Sequence, residues 1–236
     1  MTTQRRLGVL GGTFDPIHYG HLRAAEAAQS ALNLDEIRVI PAHDPPHRPL
    51  DPRASAFHRF ALIALAIDGR SNWQVSDAEL RRTGPSYTAL TLKELHAEGW
   101  HPAQIFFILG TDAFAEIATW YEFPSVLDAA NFAIAARPGT TLDQAVARTA
   151  AIGDRVRPVA HGVGRESLGA AHTGIYLIEA SLPDISSTGI RQRLAAGHSI
   201  DDLVPAAVAR YIQAQHLYDS TAAVDDLHGK AHHGKA

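Results

Sequence analysis

Gly11-Gly12-Thr13-Phe14-Asp15-Pro16-Ile17-His18-Tyr19-Gly20-His21-Leu22 follows the apolar run Leu7–Leu10 and leads into a helical stretch from about Tyr19 to Leu32. Strand, glycine turn and helix in that order make the junction where open α/β sheets bind ligands, because helix N-terminal N–H groups face the crevice there. On this reading Gly11 and Gly12 let the backbone turn sharply and approach a ligand. His18 and His21 point the same way on one helical turn, and Gly20 between them leaves room for a bulky anion. Two imidazoles and a helix start form a donor array suited to a triphosphate. Each half also has an ordinary reading: a turn, a zinc half-site or a solvated helix face. The string is not the G-x-G-x-x-G fingerprint, and no Gly-Lys-Ser/Thr P-loop occurs in the chain.

Working outward, short apolar runs alternate with longer amphipathic ones. Ile37–Ile40, Trp73–Ser76, Ile105–Leu109, Phe132–Ala136 and Ile175–Ile178 read as strands. Ala54–Ile67, Tyr87–Glu98, Thr188–Ala196 and Pro205–Gln215 read as helices, with Gly99 ending the second. Continuous apolar strands in strand–helix alternation predict an α/β fold, a doubly wound Rossmann-like parallel sheet with helices on both faces. Residues 1–218 are expected to form one domain. Within it, 139–174 is a variable connection holding one helix, Leu142–Ala151, and Asp219–Ala236 is a disordered tail.

Composition narrows the function classes. The 236 residues are 46% hydrophobic and 19% charged, enough for a sizeable core, and the net charge of -4 gives no basic field for nucleic acid or an anionic membrane. There is no cysteine, which excludes disulfides and thiolate chemistry. The apolar run after Arg5-Arg6 is too short for a signal peptide, and nothing is long enough to span a bilayer, so a cytoplasmic location is expected. Of the 21 basic residues only Lys93, Lys230 and Lys235 are lysines, so anion chemistry must rest on Arg, His and backbone N–H groups.

A second segment, Ile185-Ser186-Ser187-Thr188-Gly189-Ile190-Arg191-Gln192-Arg193, follows the last strand. Its hydroxyls suit a helix N-cap or a phosphate at the helix start. The Arg191 fork suits phosphate oxygens, while Arg193 lies further round the helix. An ordinary capped helix with a surface Arg is the competing reading.

Together, G-G-T-F-D-P-x-H-x-G-H and I-S-S-T-x-I-R resemble the two signatures of the adenylyl- and cytidylyltransferase superfamily, relatives of the H-I-G-H aminoacyl-tRNA synthetases. The first string resembles the bacterial nicotinate-nucleotide adenylyltransferases most closely. The resemblance covers about Leu7–Pro138 and Ile175–Tyr218. It implies that Gly11, Gly12, Thr13, His18, His21, Ser187, Thr188 and Arg191 bind ATP, with His18, His21 and Arg191 catalytic. Three further segments carry the likeness to the nicotinate enzymes: Pro45-Pro46-His47-Arg48, Arg82-Thr83-Gly84-Pro85-Ser86-Tyr87-Thr88, and Gly110-Thr111-Asp112 with Trp120-Tyr121. They imply a mononucleotide site of His47, Arg48, Thr88, Asp112, Trp120 and Tyr121. The bland alternatives are a rigid loop, helix caps at Ser86 or Thr88 and at Asp112, and a core Trp120.

The implied reaction transfers the adenylyl group of ATP to nicotinate mononucleotide. It needs no general base, because a phosphate monoester is ionised near neutrality. Mg²⁺ is expected through the ATP phosphates, with no dedicated protein site for it. The competing functions are transfer to nicotinamide mononucleotide or phosphopantetheine, and a non-catalytic nucleotide-binding module. The 14 histidines also raise metal binding, although only the tail groups them, at His228, His232 and His233. The sequence leaves the oligomeric state open.

Overall fold

The computed structural model describes residues 5–46, 53–137, 139, 150–159 and 173–219. Its centre is a seven-stranded sheet whose pairings are all parallel. In chain order the strands are β1 (Leu7–Gly12), β2 (Glu36–Pro41), β3 (Trp73–Val75), β4 (Ile105–Gly110), β5 (Asn131–Ala136), β6 (Val156–Pro158) and β7 (Ile175–Glu179). Their order across the sheet is β3-β2-β1-β4-β5-β7-β6. The chain winds outward from β1 to one side and, from β4, to the other. The crevice beyond the carboxyl ends of β1 and β4 is the topological switch point of such a sheet.

The helices are α1 (Tyr19–Leu32), α2 (Ala56–Ala66), α3 (Thr88–Ala97), α4 (Thr111–Ala115), α5 (Ala150–Gly153), α6 (Ser187–Ala195) and α7 (Ala206–Ala214). The strands bury both faces, which is why they read as continuous apolar runs. β4 sends Phe106 and Ile108 into a core shared with α1, α2, α6 and α7. It sends Ile105, Phe107 and Leu109 into a second core with α3, α4 and α5. Helix ends follow local chemistry: Asn33 closes α1 in the left-handed region at φ 50°, and Gly99 follows α3 at φ 97°.

Three expectations need correcting. The 139–174 connection contains a strand: β6 extends the sheet edge by pairing Val156 with Ile175. Three residues that include Arg157 and Pro158 present no apolar run to read. Asp112 does not cap a helix, because α4 has Gly110 as its N-cap and Asp112 in its first turn. Neither Ser86 nor Thr88 caps α3; its N-cap is Tyr87, with no side-chain cap bond. Of the helix expected at Leu142–Ala151, residues 142–149 lie outside the described residues, as does the tail beyond Asp219. No helix among the described residues is long and apolar enough to cross a membrane.

Candidate active site

The first motif supplies the last two residues of β1, a loop, and the start of α1. His18 is the N-cap of α1, extended at φ -149° and ψ 171°. Its ring stacks on His21 with centroids 3.7 Å apart and planes at 28°. The His18 backbone N–H donates to His21 Nδ1 at 3.3 Å. With Nδ1 accepting, a neutral His21 carries its hydrogen on Nε2 and presents a donor there.

The glycines act differently from the expectation. Gly11 and Gly12 both lie in the ladder of β1, opposite Ile40 and Pro41, and are not where the chain turns. A Cβ on Gly11 would stand 2.8 Å from Phe107 Cζ, and one on Gly12 3.1 Å from the Phe14 ring. Their absent side chains make room for aromatic rings. The unusual backbone falls on Phe14, at φ 52°. Gly20 likewise leaves no room for an anion, because the His18 ring fills that space at 2.9 Å from a Cβ placed there. Glycine at this position lets the imidazole lie flat over the first turn of α1.

The second motif meets the first directly. Ser186 caps α6 by accepting the Gly189 N–H at 3.0 Å. The Ser187 hydroxyl donates to the Pro16 carbonyl at 2.9 Å, across 171 residues of chain. Arg191 donates to the Asp15 carbonyl at 2.7 Å and to Thr188 Oγ1 at 3.1 Å. Thr188 itself is exposed at the helix start. Arg193 points away and donates to the Ser199 carbonyl.

On the other flank, Tyr121 stacks on Tyr87 at 4.6 Å and 19°, which draws the residues after α4 onto the entry to α3, beside half-buried Thr88. Trp120 sits edge-on to Phe107 at 6.1 Å and to Phe132 at 6.5 Å, packed on the second core. Phe107 therefore touches both Gly11 and Trp120 and joins the two flanks. Asp112 is exposed beyond the end of β4. His47 and Arg48 lie outside the described residues. The loop that leads to them is anchored, since the His43 and Asp44 N–H groups donate to Ser86 Oγ at 2.8 and 3.2 Å.

A model of the cytidylyltransferase-like family matches residues 9–193. A relative from Geobacter sp. (strain M21), described as a probable nicotinate-nucleotide adenylyltransferase, is 41% identical over 222 residues, covering 90% of this chain and 98% of the relative. The nicotinate-nucleotide adenylyltransferase of Escherichia coli O157:H7 is 38% identical over 211 residues, covering 89% of this chain and 97% of its own. The chain belongs to the nicotinate-nucleotide adenylyltransferase family. A solved structure described as Plasmodium falciparum nicotinic acid mononucleotide adenylyltransferase complexed with NaAD shares the fold. Its TM-score is 0.63 at 22% identity, covering 91% of this chain and 98% of that one.

In this member of the family, sequence reasoning missed the residues that hold the signature loop from behind. Asp15 is 2% exposed. Its carboxylate accepts the Arg53 and Ala54 N–H groups at 2.9 and 3.0 Å and the Tyr218 hydroxyl at 2.9 Å. Arg191 Nη1 stands 3.7 Å from the same carboxylate. Burial first, and then the Asp15 charge, push the Tyr218 hydroxyl pKa well up, so it stays a donor. Arg59, 1% exposed, donates to the Thr13 carbonyl at 2.8 Å and fixes the loop beside buried Thr13. Asp15 stood in the quoted motif without a role. Arg59 lies within an apolar helical stretch, where no periodicity marks it.

Burial lowers the His18 pKa to about 4, so the ring is neutral at neutral pH. Its Nδ1 is buried with no partner within the described chain. An anion against this ring would raise its pKa again. For folding the sign is definite: an unfolded His18 takes up a proton near its ordinary pKa of 6.5, and the folded one only near 4. The unfolded state thus binds more protons in that window, and stability falls as pH drops through it. Urea unfolding of wild type and His18→Asn at pH 7, 5.5 and 4 should show the wild type losing up to about 3 kcal/mol more than the variant. Parallel pH profiles would contradict the buried, neutral state of His18.

Proposed function

We propose that the protein transfers the adenylyl group of ATP to nicotinate mononucleotide, giving nicotinate adenine dinucleotide and pyrophosphate in NAD biosynthesis. The observation that carries this reading is the joint between the two signature segments, through Ser187 on Pro16 and Arg191 on Asp15. It brings the start of α6 against the loop that leads from β1 into the His18–His21 pair.

In the proposed mechanism the ionised 5′-phosphate of the mononucleotide attacks the α-phosphorus of ATP in line. An O–P bond forms to the acceptor phosphate as the bond to the departing pyrophosphate breaks. Catalysis is then positioning plus neutralisation of charge on the leaving pyrophosphate. His21 Nε2–H, His18, the Arg191 guanidinium and the N–H groups opening α6 are the donors, with Gly11, Gly12, Thr13, Ser187 and Thr188 lining the ATP side. Thr88, Trp120, Tyr121, Asp112, His47 and Arg48 are proposed for the mononucleotide.

Among the described residues no group of three or more His, Cys, Asp or Glu converges as a metal cage. Mg²⁺ would enter with ATP and supply charge neutralisation on its phosphates, beside the donors of His18, His21 and Arg191. Both substrates are intracellular metabolites, in keeping with a cytoplasmic enzyme.

The test is pyrophosphate release from ATP with nicotinate mononucleotide or phosphopantetheine as acceptor, with the adenylylated product identified by mass. Release with the mononucleotide and formation of the dinucleotide is expected. Release with phosphopantetheine alone would overturn the reading.

A further inference from the structure

Phe14 stands in the first signature without a part in the reaction. Its backbone is left-handed, at φ 52°. A bulky side chain is uncommon in that region, and a position that needed only the turn would carry glycine or asparagine. The residues on either side hold it there. Arg59 donates to the Thr13 carbonyl at 2.8 Å, and Arg191 to the Asp15 carbonyl at 2.7 Å. The Asp15 carboxylate accepts the Arg53 and Ala54 N–H groups at 2.9 and 3.0 Å. Backbone of this kind persists where the surroundings over-determine it, and it gathers at functional sites.

What this backbone provides is a place for the ring. The Phe14 side chain is 1% exposed and lies against Gly12, where a Cβ would stand 3.1 Å from Phe14 Cζ. It meets the His21 imidazole edge to face, with centroids 5.0 Å apart and planes at 76°. T-shaped pairs at this separation are a preferred aromatic geometry. His21 is then held three ways. It stacks on His18 at 3.7 Å, its Nδ1 accepts the His18 N–H at 3.3 Å, and the Phe14 ring abuts it. The first two contacts come from the N-cap of α1 itself, three residues away. The third comes from the loop, and it sets the imidazole relative to the segment that Arg59 and Arg191 hold.

We propose that Phe14 is a positioning residue for the reaction: its ring fixes the plane of the His21 imidazole, and so the direction in which Nε2–H meets the departing pyrophosphate. The inference rests on the adenylyl-transfer reading above, with His21 as a donor in it. Leucine at this position would fill much of the core volume without a flat ring, and the imidazole could then tilt.

The experiment measures kcat and the ATP KM with nicotinate mononucleotide for wild type, Phe14→Leu, His21→Ala and the double variant. Phe14→Leu should lower kcat about tenfold through misplacement of the donor, with the ATP KM within about twofold. In the His21→Ala background the same change should alter kcat by less than about twofold, because no imidazole is left to aim. Loss of core packing alone would slow both backgrounds by the same factor, and that result overturns the proposal. A kcat for Phe14→Leu within about twofold of wild type overturns it too, and both outcomes leave the adenylyl-transfer reading intact. If Phe14→Leu does not fold, Phe14→Met, whose side chain adapts to irregular space, carries the same cycle. Turnover of His21→Ala equal to wild type removes the proposal together with the role of His21. No turnover of nicotinate mononucleotide by wild type removes the proposal and the reading beneath it.

Discussion

His21→Ala should lower kcat about a hundredfold, while urea unfolding stays close to wild type. The ring is half-buried at the start of α1. Its Nδ1 is engaged by the His18 N–H, so the hydrogen sits on Nε2, and the stack on His18 restricts where that donor can aim. A donor fixed in advance toward developing charge costs no reorganisation during reaction, and losing one typically costs about 3 kcal/mol. The ATP KM should move much less than kcat, because the interaction belongs to the departing pyrophosphate more than to ground-state ATP. His21→Gln returns a donor in a different place and should recover only part of the rate. Turnover of His21→Ala within threefold of wild type would remove His21 from the mechanism.

Arg191→Ala should be the second most damaging change, with a different signature. The guanidinium is pinned between the Asp15 carbonyl and Thr188 at the mouth of α6, and its side chain is 22% exposed. Charge-assisted hydrogen bonds contribute about 1.5–3 kcal/mol each, so kcat/KM for ATP should fall by about ten- to a hundredfold, with the ATP KM rising. Two further consequences follow from position. The Asp15 carboxylate loses a cation 3.7 Å away and rests on the Arg53 and Ala54 N–H groups and the Tyr218 hydroxyl. The loop also keeps only the Ser187 tie to α6. Arg191→Lys keeps the charge without the fork and should fall between wild type and alanine. A rise confined to the mononucleotide KM would mean the two subsites are exchanged.

The parts of the fold that were legible in the sequence are those governed by local rules. A strand buried on both faces must be apolar at successive positions, so Ile105–Leu109 and Phe132–Ala136 announced themselves. α1 runs from Tyr19 to Leu32 as its pattern suggested. β6 stayed hidden because a three-residue edge strand carrying Arg157 needs no apolar run.

In the candidate site, residue types were easier to read than reasons. Gly11, Gly12 and Gly20 were singled out, yet at each the side-chain space belongs to a ring: Phe107 from β4 at Gly11, and Phe14 and His18 from the same segment at Gly12 and Gly20. Asp15 with Tyr218, and Ser86 with His43 and Asp44, are pairs 203, 43 and 42 residues apart. Short-range spacing carries no trace of such contacts. The two signature segments were legible for the opposite reason: strand, loop and helix start follow one another within one short stretch of chain.

The central claim is that the acceptor is the nicotinate and not the nicotinamide mononucleotide. The two differ only by a ring carboxylate against an amide. If backbone N–H groups near Thr88 and Tyr121 meet that carboxylate, both its oxygens accept. The amide would instead turn an NH₂ donor against a donor, and a buried mismatch of that kind costs about 1–3 kcal/mol, more where a charged group is lost. The decisive measurement is kcat/KM for the two mononucleotides at saturating Mg-ATP. A preference for nicotinate mononucleotide of at least about tenfold is predicted; equal values, or a preference for the amide, would contradict the account.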